Sequence, residues 1–344
     1  MGQGIMKKRV SIKQVAAHAG VSVATVSLVL NGKGRISEAT KKEVHKSVKK
    51  LGFIPNKSAS RLRSGRSLLI GLIVNDISNP FFAELSADVE SEAAREGYLS
   101  VMANTGDDID RQRKVIETMI GQGVAGFIIS AATGSDASTF QIIRDYGIPY
   151  VLCVRDVLDH DADFVGFDNF MAGGMAGAHL RELGHESVVF VGGEQANINR
   201  RNRLEGVREE LSRQGTKIDD ACVLPGPATR EFGTKAVGEL LERGRPFTAV
   251  VCFNDYVAIG AYAALVEGGM QVGHDVSVVG FDNVPESGAW SPPLTTVELF
   301  PRALGARAAK ALLARIGEES LAAERILLSP RLIVRKSTRP PGRS

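Results

Sequence analysis

The sequence predicts an α/β protein in two parts. An N-terminal three-helix, helix-turn-helix headpiece comes first; a body of two lobes, each a doubly wound parallel sheet, follows. Three observations carry this prediction. Residues 11–31 read as two short helices about a glycine turn. Positive charge is concentrated in the head. From Leu68 onward, short apolar runs alternate with amphipathic helical stretches, the rhythm of a parallel sheet covered by helices.

In the head, Ser11 and Gln14 have the spacing of a capping box. Ile12, Val15 and Ala16 give the first helix one apolar face. Gly20 suits a turn that needs positive φ. Ser22 can cap a second helix, Val23 to Leu30, with Val26, Val29 and Leu30 turned inward. Val23, Ala24, Ser27, Leu28 and Asn31 are left on its open side. On this stretch alone, an ordinary helical hairpin fits as well as a DNA reader. A third helix follows from Glu38 to Leu51, capped by Ser37 and ended by Gly52.

Charge separates the two readings. Net charge is only +3, yet residues 1–66 carry 15 of the 42 Lys and Arg against Glu38 and Glu43 alone. The remainder carries 27 basic residues against 37 acidic ones. A basic head on an acidic body is the electrostatic footprint of nucleic-acid binding. Residues 56–67 (NKSASRLRSGRS) are small, polar and basic, and read as a linker able to form a short helix only when bound.

In the body, one series runs LLIGLIV, helix 81–96, YLSVMAN, helix 109–122, GFIIS, helix 136–146 and YVLCV. A second runs DFVGF, helix 169–183, SVVFVGG, helix 200–214, ACVLPG, helix 230–242, AVVCFN, helix 255–267 and VSVVGFDN. The tail, helix 300–316 and ILLSPRLIVRKS, is expected to serve both lobes. The expected organisation is a headpiece at 1–55, a hinge at 56–67 and a body at 68–344. Lobe one takes about 68–165 plus 299–325, and lobe two about 166–297 plus 327–338. Two such lobes bind ligands where the carboxyl ends of their strands face a common cleft.

Catalytic motifs are absent from the sequence in the contexts they require. Gly121-Gln-Gly-Val-Ala-Gly126 has the dinucleotide spacing but follows a helix and precedes a strand, so it reads as a turn. No P-loop or G-x-S-x-G elbow occurs, and the six histidines lack metal-ligand spacing. Neither an enzyme nor a cofactor or metal is implied. Asp107, Asp108 and Asp110 read as caps and dipole partners at a helix start. Cys153, Cys222 and Cys252 sit in apolar, strand-like runs and read as reduced, buried thiols. No apolar run approaches the ~20 residues of a bilayer span, and MGQGIMKKRVS lacks the apolar core of a secretory signal. No membrane partner and a cytoplasmic location are expected.

Polar residues recur at strand ends: Asn79-Pro-Phe81-Phe82, Asp168-Asn169, Asn199 with Arg203, Phe253-Asn254-Asp255 and Phe281-Asp282-Asn283. Singly, each is most simply a turn residue or helix cap. Five at the same end of parallel strands point to a polar small molecule held between amides, carboxylates and aromatic rings.

Several segments together resemble the LacI/GalR family of transcriptional regulators over essentially the whole chain. They are VSIKQVAAHAGVSVATVSLVLNG, LGFIPN, GLIV with NPFF, FND at 253–255, VVGFDN at 278–283 and SPPLTTV at 291–297. VSVATVSLVLNGKGRIS and GLIVNDISNPFFAEL look most like the maltose-regulon repressor branch. The resemblance implies a periplasmic-binding-protein-like body and a second helix that enters the major groove of a palindromic operator. It puts base reading on Val23, Ala24 and Leu28, phosphate contact near Ser22, Thr25 and Asn31, and Ser27 on the same face. Leu62, with Arg63 beside it, matches the hinge leucine that wedges into the minor groove. Phe81, Asp168, Asn199, Arg203, Asn254 and Asp282 match effector-contacting positions, with a carbohydrate as the expected effector. Two departures stand out: Ala228 where the family often has an aromatic ring, and Val154 with Arg155 where it often has an acid. The chain ends STRPPGRS without a leucine-heptad extension, so a homodimer is expected. A free sugar-binding receptor without a DNA role is the alternative the body alone permits.

Overall fold

The structure, a computed structural model, describes residues 10–30, 32–54, 67–244, 246–318 and 322–342. They form two compact units that divide between Arg66 and Ser67. Asn31, Leu62, Arg63 and the linker helix expected over 56–67 lie outside the described residues, Ser67 excepted.

In the head unit, α1 (Ile12–Ala19) begins at the expected capping box: the Gln14 amide donates to Ser11 Oγ, and the Ser11 amide donates to Gln14 Oε1 at 2.8 Å. Gly20, at φ 64°, ends it in the left-handed region. α2 (Val23–Leu30) starts on Ser22, whose Oγ accepts from the Thr25 amide at 3.0 Å. The two helices are bent by 101°, within the ~90–120° of a helix-turn-helix. α3 (Glu38–Leu51) runs from the Ser37 cap to Gly52 and closes the core, in which Val15, Val26 and Val44 are fully buried. His18 Nδ1 lies 2.9 Å from Ser47 Oγ and ties α1 to α3. So small a core has little to spare. Val26→Ala is expected to cost about 2 kcal/mol, read as faster amide exchange throughout 12–30 with the body unchanged.

The body holds two six-stranded sheets. Its elements in order are β1 (Leu69–Val74), α4 (Pro80–Arg95), β2 (Leu99–Asn104), α5 (Ile109–Gly121), β3 (Gly126–Ile129), α6 (Gln141–Asp145), β4 (Tyr150–Cys153) and β5 (Asp163–Phe167). Then come α7 (Asn169–Glu182), β6 (Val188–Val191), α8 (Ile198–Ser212), β7 (Val223–Leu224), α9 (Arg230–Glu242), β8 (Ala249–Cys252), α10 (Asp255–Glu267), β9 (Ser277–Asp282), β10 (Thr295–Glu298), α11 (Pro301–Gly317), β11 (Arg325–Leu328) and β12 (Arg331–Ile333). Sheet one has the order β11-β5-β4-β3-β1-β2, all parallel. Sheet two has the order β12-β10-β9-β8-β6-β7, parallel except for β12.

Three expectations need correction. DFVGF does not open the second sheet: as β5 it pairs with β4 and β11 in sheet one. Only the helix after it, α7, belongs to lobe two, where it packs on α8. ILLSPRLIVRKS is two strands, one in each sheet, separated at Ser329-Pro330, so lobe one reaches Leu328. The helix expected at 136–146 is a 3₁₀ turn, 137–140, running into the short α6. Among the described residues the chain therefore passes between the sheets three times: after β5, between β10 and α11, and between β11 and β12.

Helices pair closely through glycine. A Cβ on Gly173 of α7 would lie 2.0 Å from the Arg203 carbonyl oxygen on α8, and one on Gly206 would lie 2.1 Å from that of Phe170. Gly233 and Gly260 repeat the device between α9 and α10. Gly121 and Gly126 end α5 and start β3, the turn expected of the glycine-rich run, with Gly123 between them at φ 69°. Cys153 and Cys252 are buried and Cys222 is half-buried; all three are free thiols.

Candidate effector cleft and DNA-reading face

On α2 the inward residues are Val26 and Val29. Val23 and Leu28 are 40% and 39% exposed, Ala24 and Ser22 are exposed, and Thr25 and Ser27 are half-buried. Burying one stripe of an eight-residue helix leaves the opposite stripe open, and here that stripe is apolar. Lys33 and Arg35 are exposed just past its end. The face can offer methyl contacts to thymine, with flanking charge for phosphates, but no bidentate side chain for a base edge among its described residues.

In the body, a cavity of about 760 Å³ opens where the carboxyl ends of both sheets meet. Five of the six expected residues line it: Phe81, Asn199, Arg203, Asn254 and Asp282. Asp168 does not. Its carboxylate accepts from the Met171 amide at 2.8 Å and caps α7, the simpler role open to an acid at a strand-to-helix turn.

Arg203 projects from the second turn of α8 and is 4% exposed. Its Nε donates to Asn169 Oδ1 at 2.9 Å and its Nη1 to the Phe253 carbonyl at 2.6 Å. The guanidinium lies 4.9 Å from the ring centre of Phe253 and 4.7 Å from that of Phe281, so two aromatic faces fix its plane. Burial pulls its pKa down to about 10, against the opposing pull of Asp282 and Asp255.

Asp282 ends β9 at φ 107°, a strained conformation for a residue with a side chain. Burial pushes its carboxyl up to about 6, opposed by Arg203 and by a 3.3 Å hydrogen bond from Asn79. Among the described residues, no ion pair within 4 Å joins Asp282 to Arg203. Asp255, fully buried behind it, accepts from the Thr296 hydroxyl at 2.7 Å and the Val284 amide at 2.9 Å. Those bonds hold the backbone that follows Asp282, and burial beside Asp282 raises the Asp255 pKa well above its ordinary value.

Three contacts bridge the lobes at the cleft: Asn79 to Asp282, Asn199 Nδ2 to the Val154 carbonyl at 3.1 Å, and Tyr256 to the Ser78 carbonyl at 2.8 Å. Phe81 packs edge-on against Phe82 and Phe167. Asn254 caps α10 through the Val257 amide. Ala228 also lines the cavity, so this part of its wall presents a methyl group and no ring.

Sequence reasoning missed Asn75 and misread Asp107. Asn75 follows β1 and donates to Asp107 at 3.0 Å. Asp107 is no helix cap, a task left to Asp108. It binds the Arg155 guanidinium through both oxygens, and also accepts from the Thr133 amide and hydroxyl. Arg155 thus lines the cleft with its charge already countered. The strand-end position of Asn75-Asp76 was a usable signal; the Asp107–Arg155 pairing, 48 residues apart, left none.

Residues 11–56 match the bacterial regulatory proteins of the lacI family, and residues 67–336 match the periplasmic binding proteins and sugar binding domain of the LacI family. The maltose regulon regulatory protein MalI of Escherichia coli (strain K12) is 32% identical over 338 residues, 96% of this chain and 99% of that one. Among solved structures, the Lac repressor dimer bound to operator and the anti-inducer ONPF superposes with a TM-score of 0.85 at 28% identity, covering 96% of this chain and all of that one. The transcriptional regulator CelR–cellobiose complex gives 0.72 at 30% identity, with coverage of 96% and 100%. A helix-turn-helix head joined to a two-lobed body with a polar interlobe cleft, matched along both parts, makes this chain a DNA-binding transcriptional regulator, and it belongs to the LacI family.

Proposed function

We propose that the chain is a homodimeric, cytoplasmic repressor that binds a palindromic operator and is controlled by a carbohydrate seated between its lobes. Phe81, Asn199, Arg203, Asn254 and Asp282 form the effector set. The observation that carries this reading is the buried Arg203–Asp282 arrangement. A fixed cation and a carboxylate, each with hydrogen-bonding capacity toward the cavity and aromatic rings beside them, suit hydroxyls that both donate and accept. On DNA, α2 lies in the major groove with Val23, Ala24 and Leu28 over bases. Ser27 shares their face, Ser22, Thr25 and Asn31 lie toward the backbone, and Leu62 with Arg63 enters the minor groove. Effector binding changes the angle between lobes and so the spacing of two headpieces, with a coupling of about 1–3 kcal/mol.

Anisotropy measurements on palindromic fragments from the gene's own neighbourhood test the DNA half. Leu28→Ala is expected to weaken the best fragment about tenfold without changing the salt slope, because no phosphate contact is lost. Lys33→Ala is expected to lower that slope by about one and to weaken all sequences alike. Equal weakening of specific and non-specific DNA by Leu28→Ala contradicts the proposed reading face.

A further inference from the structure

Beside the main cavity lies a smaller one of about 260 Å³. The two share Thr133, Arg155, Gln195, Ala196 and Asn197, so they are compartments of one interlobe space with a common wall. Arg155 is the rigid part of that wall. Its guanidinium is held by both oxygens of Asp107 and by the Ala131 carbonyl at 2.7 Å.

The compartments differ in chemistry. Aromatic rings and the Arg203–Asp282 arrangement belong to the main cavity; the side chamber has no ring in its wall. Its carboxylates are engaged. Asp136 accepts from the Ser138 hydroxyl and from Thr139, and Asp156 pairs with Arg325. Arg201 is exposed at its wall, and among the described residues no carboxylate lies within 4 Å of it. Helix α8 thus presents Arg203 to one compartment and Arg201, half a turn away, to the other.

We infer that the effector is an extended carbohydrate of at least two sugar units. This rests on the carbohydrate reading of the main cavity. One unit lies against the aromatic wall on Arg203 and Asp282. The second lies past Arg155, which lines both cavities, and accepts hydrogen bonds from Arg201 through its hydroxyl or ring oxygens. A neutral second unit fits better than an anionic one, because Asp136 and Asp156 share the chamber with Arg201. A single ring would leave the side chamber empty and the Arg201 donors facing water.

Calorimetric titration of the full-length protein with glucose, galactose, maltose, cellobiose, lactose and melibiose tests the inference. At least one disaccharide is expected to bind about tenfold tighter than either of its constituent sugars. Arg201→Ala, and Leu158→Trp, which fills the chamber from an exposed position, should each remove that advantage and leave monosaccharide binding unchanged. Asp282→Asn should weaken both sizes together. Equal affinity for one and two rings, or equal loss of both in Arg201→Ala, overturns the two-unit inference and leaves the carbohydrate reading standing. Failure of every sugar to bind overturns both.

Discussion

Asp282→Asn is expected to weaken binding of the tightest sugar by about ten- to a hundredfold, because hydrogen bonds from sugar hydroxyls to a buried charged acceptor are worth about 1.5–3 kcal/mol. Arg203 keeps its contacts to Asn169 and Phe253, and the new side-chain amide oxygen can still accept from Asn79, so the loss falls on the ligand rather than on the shape of the cleft. The same carboxyl makes binding depend on pH. It stays protonated to about pH 6 in the folded body, against an ordinary 3.8, because it is buried. Sugar hydroxyls donate to the ionised form, so affinity is expected to rise as pH increases through about 6, and to lose that slope in the Asn variant. Without ligand the linkage has a definite sign. The folded state binds this proton more tightly than the unfolded chain, so the body loses stability as pH rises from about 4 to about 6. Asp255, also raised, adds a slope of the same sign, so the variant flattens stability only in part. Titrations at pH 5, 6 and 7 with flat affinity in the wild type would remove Asp282 from the effector set.

Gly206→Ala is expected to destabilise the body by about 3 kcal/mol or more, since the obstruction is backbone and cannot rotate away. Its Cβ would stand 2.1 Å from the Phe170 carbonyl and 2.6 Å from the Gly174 amide nitrogen, so α7 and α8 must part. Gly173→Ala would press directly on the Arg203 carbonyl at 2.0 Å and should also weaken sugar binding, because Arg203 rides on that turn. Gly238→Ala on α9 is the control: nothing lies within 4 Å of its added carbon, so it should be neutral or stabilise by about 0.5–1 kcal/mol. Melting temperatures of the three variants decide it. A Gly206→Ala protein that melts with the wild type would mean the helices are not in the contact described.

What could be read before the structure was whatever depends on neighbours in sequence. The caps at Ser11, Ser22 and Ser37, the turn at Gly20 and the inward stripe of α2 all follow from i, i+3 and i+4 relations, and all stand in the structure. The strand-end residues were legible for a similar reason, because a parallel sheet delivers those ends to one edge. Sheet membership was not. DFVGF is equally apolar whichever sheet it joins, and while one neighbour, β4, is the preceding strand, the other, β11, comes from near the end of the chain. Asp168 shows the limit of position as a guide, for the same geometry that brings an acid to a strand end also lets it cap the next helix. Arg155 shows the limit of charge: nothing near it in the sequence signals the ion pair that it makes with Asp107.

The three passages of chain between the sheets set what the body can do as a machine. Neither lobe is a continuous stretch of sequence, so neither can be expressed or excised by one cut at each end. A protease nick at Ser329-Pro330 would leave the lobes joined at two other places. Three covalent links also limit how far the lobes can separate, more than a single linker would. For the regulator proposed above, a ligand between the lobes would therefore act on two bodies that are already tied together in three places.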